Sequence, residues 1–250
     1  DFEIELWGEC YNSYETSVLD LSSLGLTGEI PSEIGQLTNL TYLNLGNNDL
    51  TGSIPPEIGQ LINLTYLRLT YNDLTGSIPP EIGQLTNLTE FRLYHNDLTG
   101  PIPPEIGQLT NLIGLWIYSN QFSGEIPTEI GQLTNLTELY LNSNELTGPI
   151  PYEIGYLTNI HHLKLNNNNL SGQIPESICN LDLDGNPYIH LYNNNLCPSY
   201  PVCLDFGQIG YQNTSECEEY LFGDVNLDGY IDVLDIITGV NVIIENIEPT

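Results

Sequence analysis

The chain has 250 residues and holds 33 Asp or Glu against three Lys or Arg, a formal net charge of −30. No basic face exists to neutralise phosphates, so nucleic acid is excluded as a partner, and adhesion to anionic membranes is equally disfavoured. No apolar run reaches the length of a membrane span, and membrane insertion is not expected.

The amino-terminal segment contains "LWGECYN" (residues 6–12) and then "SVLDLSSLGLTG" (residues 17–28). The second stretch reads as the latter half of a unit that recurs downstream, with Leu19 and Leu21 pointing inward. Residues 1–25 are therefore expected to cap the open end of a solenoid, whose first turn has no preceding neighbour. Residue 1 is expected to be a mature end, with any targeting segment lying upstream.

From residue 26 to residue 196 the chain repeats with a period of 24. Leu26, Leu50, Leu74, Leu98, Phe122, Leu146 and Leu170 open successive units, and each unit carries LxxLxLxxN, as in Leu64, Leu67, Leu69 and Asn72. The LxL segment predicts a short strand with its leucines inward, stacked on the same strand of the next turn in a parallel sheet. The Asn at the end of each pattern, such as Asn72, falls where a buried amide can satisfy backbone groups of adjacent turns. Gly and Pro in "TGxIP" interrupt regular structure, which predicts extended or short 3₁₀ segments on the outer side.

This pattern resembles the leucine-rich repeat family, and its "LTGxIP" insert is similar to the plant-type extracellular subclass. The resemblance implies an α/β solenoid, a horseshoe with a parallel concave sheet and an irregular convex side. It also implies a recognition role, with a protein, peptide or glycan as ligand. "LWGECYN" resembles the tryptophan and second cysteine of the plant-type amino-terminal cap, whose first cysteine is missing here.

Residues between the strand leucines alternate to the exposed concave face. Turn by turn they are Asn44, Arg68, Arg92, Trp116, Tyr140, Lys164 and His190, so all three basic residues share one column. Flanking columns add Tyr94, Tyr118 and His162. Arg68, Arg92, Tyr94, Trp116, Tyr118, Tyr140, His162, Lys164 and His190 are thus the candidate ligand-binding residues. The side chains of Arg92 and Trp116 are expected to point to solvent, with Glu90 as counterweight to the guanidinium groups. Asn39, Asn63, Asn87 and Asn135 begin N-x-T sequons, which the "TNLT" consensus itself accounts for. No nucleophile elbow, phosphate loop or zinc-spaced Cys/His set is present, and catalysis is not expected.

Residues 197–222 are expected to form a cysteine-bound carboxyl-terminal cap. Cys179, Cys197, Cys203 and Cys217 can close two disulfides in three pairings, among which spacing cannot choose, and they point to an oxidising, secreted setting. Cys10 is left over. Within residues 223–250, "GDVNLDGYIDVLD" places oxygens at the alternate positions that calcium needs. Asp224, Asn226 and Asp228 supply side chains, Tyr230 a carbonyl, Asp232 a water-mediated contact and Asp235 the closing carboxylate. The loop resembles a dockerin repeat, which implies a cohesin-type partner and an alternative role in structural assembly at the cell surface. The helix after it, with Val233, Ile236, Ile237 and Val240 on one stripe, is expected to pack against the open end of the solenoid. The acidic surface and this tail suggest secretion by a marine bacterium, as a monomer.

Overall fold

Strands of three residues recur once per 24-residue unit and stack in sequence order into an eight-stranded parallel sheet. The strands are Val18–Asp20, Tyr42–Asn44, Tyr66–Arg68, Glu90–Arg92, Gly114–Trp116, Glu138–Tyr140, His162–Lys164 and Tyr188–His190. The register is unbroken, with Arg68 opposite Arg92, Arg92 opposite Trp116 and Trp116 opposite Tyr140. This computed structural model describes residues 2–181, 188–215 and 217. The calcium loop expected over 224–235, and the helix after it, lie outside the described residues.

Burial follows the repeat. Leu64, Leu67 and Leu69 are fully buried, as are their counterparts in the later turns as far as Leu165, so every one of these turns adds apolar area to one continuous core. Each such side chain contributes about 1.5–3 kcal/mol relative to exposure. Phe91 and Phe122 replace leucines at two core positions and are equally buried.

The predicted asparagine ladder forms. Asn72 Nδ2 donates to the carbonyls of Leu45 (3.0 Å) and Leu69 (3.1 Å), and its Oδ1 accepts from the amide of Leu50 (3.1 Å). One side chain thus ties its own turn to the preceding one at two points. Gln212 substitutes for asparagine at the last rung. Its Oε1 accepts from Leu196 N, and its Nε2 donates to the carbonyls of Leu191 and Ile209.

The outer side carries the short 3₁₀ turns, running from Ser32–Gln36 to Glu176–Asn180. Each follows an extended proline, such as Pro55 at φ −69°, which sets the entry angle. Gly59 of "EIGQ" is required because a Cβ there would come 2.5 Å from the Glu81 carbonyl oxygen of the next turn. The expectation that "TG" breaks strands needs correcting. Short parallel strands run through it, from Thr99–Gly100 to Asn195–Cys197, with a further pair formed by Thr27–Glu29 and Asp49–Thr51. The glycines sit at positive φ, Gly100 at +76° for example, so the chain pairs with its neighbour and then turns where a side chain would be strained.

At the amino terminus, Glu3–Leu6 and Glu9–Asn12 form an antiparallel hairpin. Its two-residue turn, Trp7 (φ 48°) and Gly8 (φ 87°), is left-handed at both positions, as the twist of a tight hairpin requires. Ile4 and Leu6 enter the core, Trp7 packs against it, and Cys10 is an exposed free thiol. Near the other end Cys179 and Cys203 form a disulfide, one repeat apart in sequence with Cα atoms 5.7 Å apart. Cys197 and Cys217 are disulfide-bonded as well.

Candidate ligand-binding face

The eight concave strands place all nine candidate residues on one face. Each is half-buried rather than free-standing, which corrects the expectation of solvent-facing side chains. The reason is lateral packing. Strands of a parallel sheet lie about 4.8 Å apart, so long side chains in one column must lean on each other.

Arg92 shows this most fully. Its Nη2 donates to Glu90 Oε2 at 2.7 Å, the one ion pair among the described residues, with side-chain exposures of 29% and 34%. The guanidinium lies 4.5 Å from the Trp116 ring centre and 5.4 Å from that of Tyr66, a cation between two aromatic faces. Its Nε is buried without a partner. Arg92 is therefore largely satisfied by its neighbours.

Trp116 lies flat along its own strand, over Gly114, where any Cβ would collide with the indole. Its Nε1 donates to Glu138 Oε2 at 3.0 Å. Tyr140 meets Trp116 edge-on and carries Lys164 Nζ 4.3 Å from its ring centre. Tyr94 stacks on Tyr118 at 4.6 Å, Tyr42 on Tyr66 at 4.4 Å, and His162 on Tyr188 at 5.3 Å. A continuous aromatic and cationic strip results. Tyr66, Gly114 and Glu138 lie in the neighbouring column by sequence and are not marked out by residue type; register pairs Tyr66 with Glu90 and Gly114 with Glu138, and only the side-chain conformations bring them to Arg92 and Trp116.

Burial raises the tyrosine hydroxyls. Tyr118 is pushed up to about 12 by desolvation first, then by neighbouring Tyr94 and Tyr71. Tyr140 also rises to about 12, through desolvation and the charge of Glu138. His190, half-buried beside Lys164 and His162, is held below the ordinary histidine value, by desolvation first and then by the charges of those two neighbours. The strip is thus a neutral phenolic surface, with Arg68 and Lys164 as cations lacking a carboxylate partner among the described residues. Arg68 Nε donates to Thr70 Oγ1 at 2.9 Å, which leaves the rest of its fork open.

Beside the sheet runs a second feature. An open groove of about 600 Å³ is lined by Asn63, Thr65, Asn87, Thr89, Asn111, Ile113, Asn135 and Thr137. Here the asparagine repeats at every turn and the threonine at every turn but one, where Ile113 stands, whereas in the concave column residues change.

The profile of the leucine-rich repeat region matches residues 14–149, and that of the single leucine-rich repeat matches residues 159–181. The chain belongs to the leucine-rich repeat family. Among solved structures this leucine-rich repeat protein is similar to the plant peptide hormone receptor RGFR1 in complex with RGF2, at 41% identity and TM-score 0.68. That match covers 71% of this chain and 28% of the receptor chain, so the chain spans under a third of its length. A leucine-rich repeat protein of Leptospira interrogans is 36% identical with TM-score 0.57, covering 80% of this chain and 54% of that one. A plant ice-binding protein is 29% identical with TM-score 0.52, covering 75% and 76%. No curated protein matches the sequence.

Proposed function

We propose that this leucine-rich repeat protein is an extracellular, non-enzymatic recognition module whose concave face binds an extended peptide or protein segment. The observation that carries the reading is the concave column itself. In a chain whose turns are otherwise near copies, this column changes residue at almost every turn and gathers every Lys and Arg. The LxL core beneath it stays apolar throughout, with Phe91, Ile117 and Ile189 its only departures from leucine between Leu67 and Leu191, so packing alone does not account for the change among Arg, Trp, Tyr, Lys and His above it. The likeness to a receptor solved with a peptide hormone supports the same class of ligand, and paired cysteines fit an oxidising compartment.

The free cations define the ligand further. Arg92 is neutralised by Glu90, so an anionic group would meet Arg68 or Lys164, four strand intervals or about 19 Å apart. Between them, Trp116 and the tyrosines offer flat faces for side chains. The ligand is thus extended, spans several turns and carries few anionic groups, because the surrounding charge of the chain rejects strongly anionic ones. The test is a peptide and glycan array probed with wild type, Arg68→Ala and Trp116→Ala. Peptides retained by wild type and lost by both variants support the reading; a response to glycans alone overturns it.

Residues 224–235 are proposed to bind calcium on the strength of their sequence pattern alone. A ligand held at a hundredfold excess over Kd adds about 2.7 kcal/mol to the folded state. Chelation should therefore lower the melting temperature, and Asp224→Ala with Asp228→Ala should reproduce that drop.

A second reading, adsorption to ice, is favoured by the uncharged, repeating Asn and Thr flank and by the likeness to the plant ice-binding protein.

A further inference from the structure

The flanking ladder is built from "TNLT" in successive turns, and its hydrogen bonds show which half of each polar group the fold consumes. Asn87 Nδ2 donates to the carbonyl of Ile62 (2.9 Å), and Asn135 Nδ2 donates to that of Thr110 (2.9 Å). Thr89 Oγ1 donates to the carbonyl of Thr65 (2.9 Å), and Thr137 Oγ1 to that of Ile113 (3.1 Å). Each hydroxyl proton is spent on the preceding turn, as is one amide proton of each asparagine. What remains on the outer side is mainly acceptor oxygens and threonine methyls. These bonds also fix the rotamers, so the array is ordered before any ligand arrives.

Two further properties select the ligand. The groove lining contains no charged residue, in a chain carrying a formal charge of −30. Its rungs lie in the turns just before the strands and repeat about every 4.8 Å from one strand to the next. A ligand matched to such a surface must offer hydroxyl donors on a similar period. Tetrahedral water with O···O near 2.75 Å puts second neighbours about 4.5 Å apart. The mismatch of about 0.3 Å per interval sums to about 0.9 Å over the three intervals between four rungs, well short of one repeat.

Resting on the ice reading above, we infer that this Asn–Thr flank, and not the concave strip, is the surface that meets ordered water. Its acceptors take the donors of the outermost water layer, while the methyls and Ile113 fill the spaces between them.

The test uses the unglycosylated full chain and reads ice-recrystallisation inhibition together with adsorption of fluorescently labelled protein to a single ice crystal. Three variants are compared with wild type: Thr65→Lys with Thr89→Lys on the flank, Ile113→Lys at its centre, and Trp116→Ala on the concave face. Ile113 is 47% exposed and its side chain makes no hydrogen bond, so its replacement leaves the fold intact. Active wild type, loss in both flank variants and retention in Trp116→Ala are the expected results. Inactive wild type overturns the ice reading as a whole. Active wild type with an equally active Ile113→Lys leaves that reading standing and overturns the assignment to this flank.

Discussion

Two columns of the same solenoid, the concave strip and the Asn–Thr flank, differ in what repetition has left in place. Both are generated by one 24-residue unit, and both sit on turns about 4.8 Å apart. In the flank, Asn63, Asn87, Asn111 and Asn135 do the same thing at every turn, tying a side-chain amide to the preceding backbone. In the strip, Arg68, Arg92, Trp116 and Tyr140 share a register yet make different contacts. A uniform column suits the fold itself or a periodic target. A varied column suits a ligand whose own groups vary along its length.

The two columns rest on one core, and the largest effect is expected there. Phe91 lies beneath the strip and next to the flank, fully buried. Phe91→Ala should cost about 3–5 kcal/mol in urea unfolding, through lost transfer energy and a residual cavity, and should disturb both faces. Next comes the ladder that sets register. Asn96 Nδ2 donates to the carbonyls of Leu69 and Leu93, and its Oδ1 accepts from Leu74 N. Asn96→Ala should cost about 2–3 kcal/mol, because buried backbone groups lose their partners. A cost near zero in the same unfolding experiment would mean that water replaces the amide.

Smaller effects separate the faces. Glu90→Gln removes the carboxylate that neutralises Arg92, and about a third of each side chain is exposed. Solvent screening limits the stability change to about 1 kcal/mol or less. Ligand binding should respond more than stability does, since a second free guanidinium then enters the strip; calorimetric titration alongside thermal melting would show whether the two diverge. The smallest effect is alkaline. Tyr118 loses its proton near pH 12 in the folded chain, against an ordinary value of 10.0. The unfolded chain therefore gives up this proton first, and the folded state binds more protons between those values. Stability from this group is whole below pH 10 and is lost as pH rises through about 12. Tyr118→Phe should make the decline shallower across that window, measured by circular dichroism.

Much of the architecture was legible because it is periodic. LxxLxLxxN specifies the sheet, its register and the asparagine ladder, for the same spacing that buries the leucines exposes the residues between them. What escaped sequence reading depends on contacts between turns. The "TG" strands exist because a neighbouring copy is there to pair with, and Gly100 at positive φ permits both the pairing and the turn. Trp116 lies flat only because Gly114 leaves room, and Gln212 can close the last rung because the chain returns beside Leu191. The column of candidates was legible, but its half-burial was not, since rotamers in adjacent strands decide it together. The calcium loop stands on sequence pattern alone.

Peptide recognition should therefore reside in the varied column and not in the uniform one. The sharpest measurement is calorimetric titration of one array-selected peptide into wild type, Trp116→Ala and Asn111→Ala. Trp116→Ala should weaken binding by about 1–3 kcal/mol, as truncation of an aromatic anchor does, while Asn111→Ala leaves it within about 0.5 kcal/mol. Equal binding by wild type and Trp116→Ala, or a larger loss in Asn111→Ala, would contradict that division between the columns.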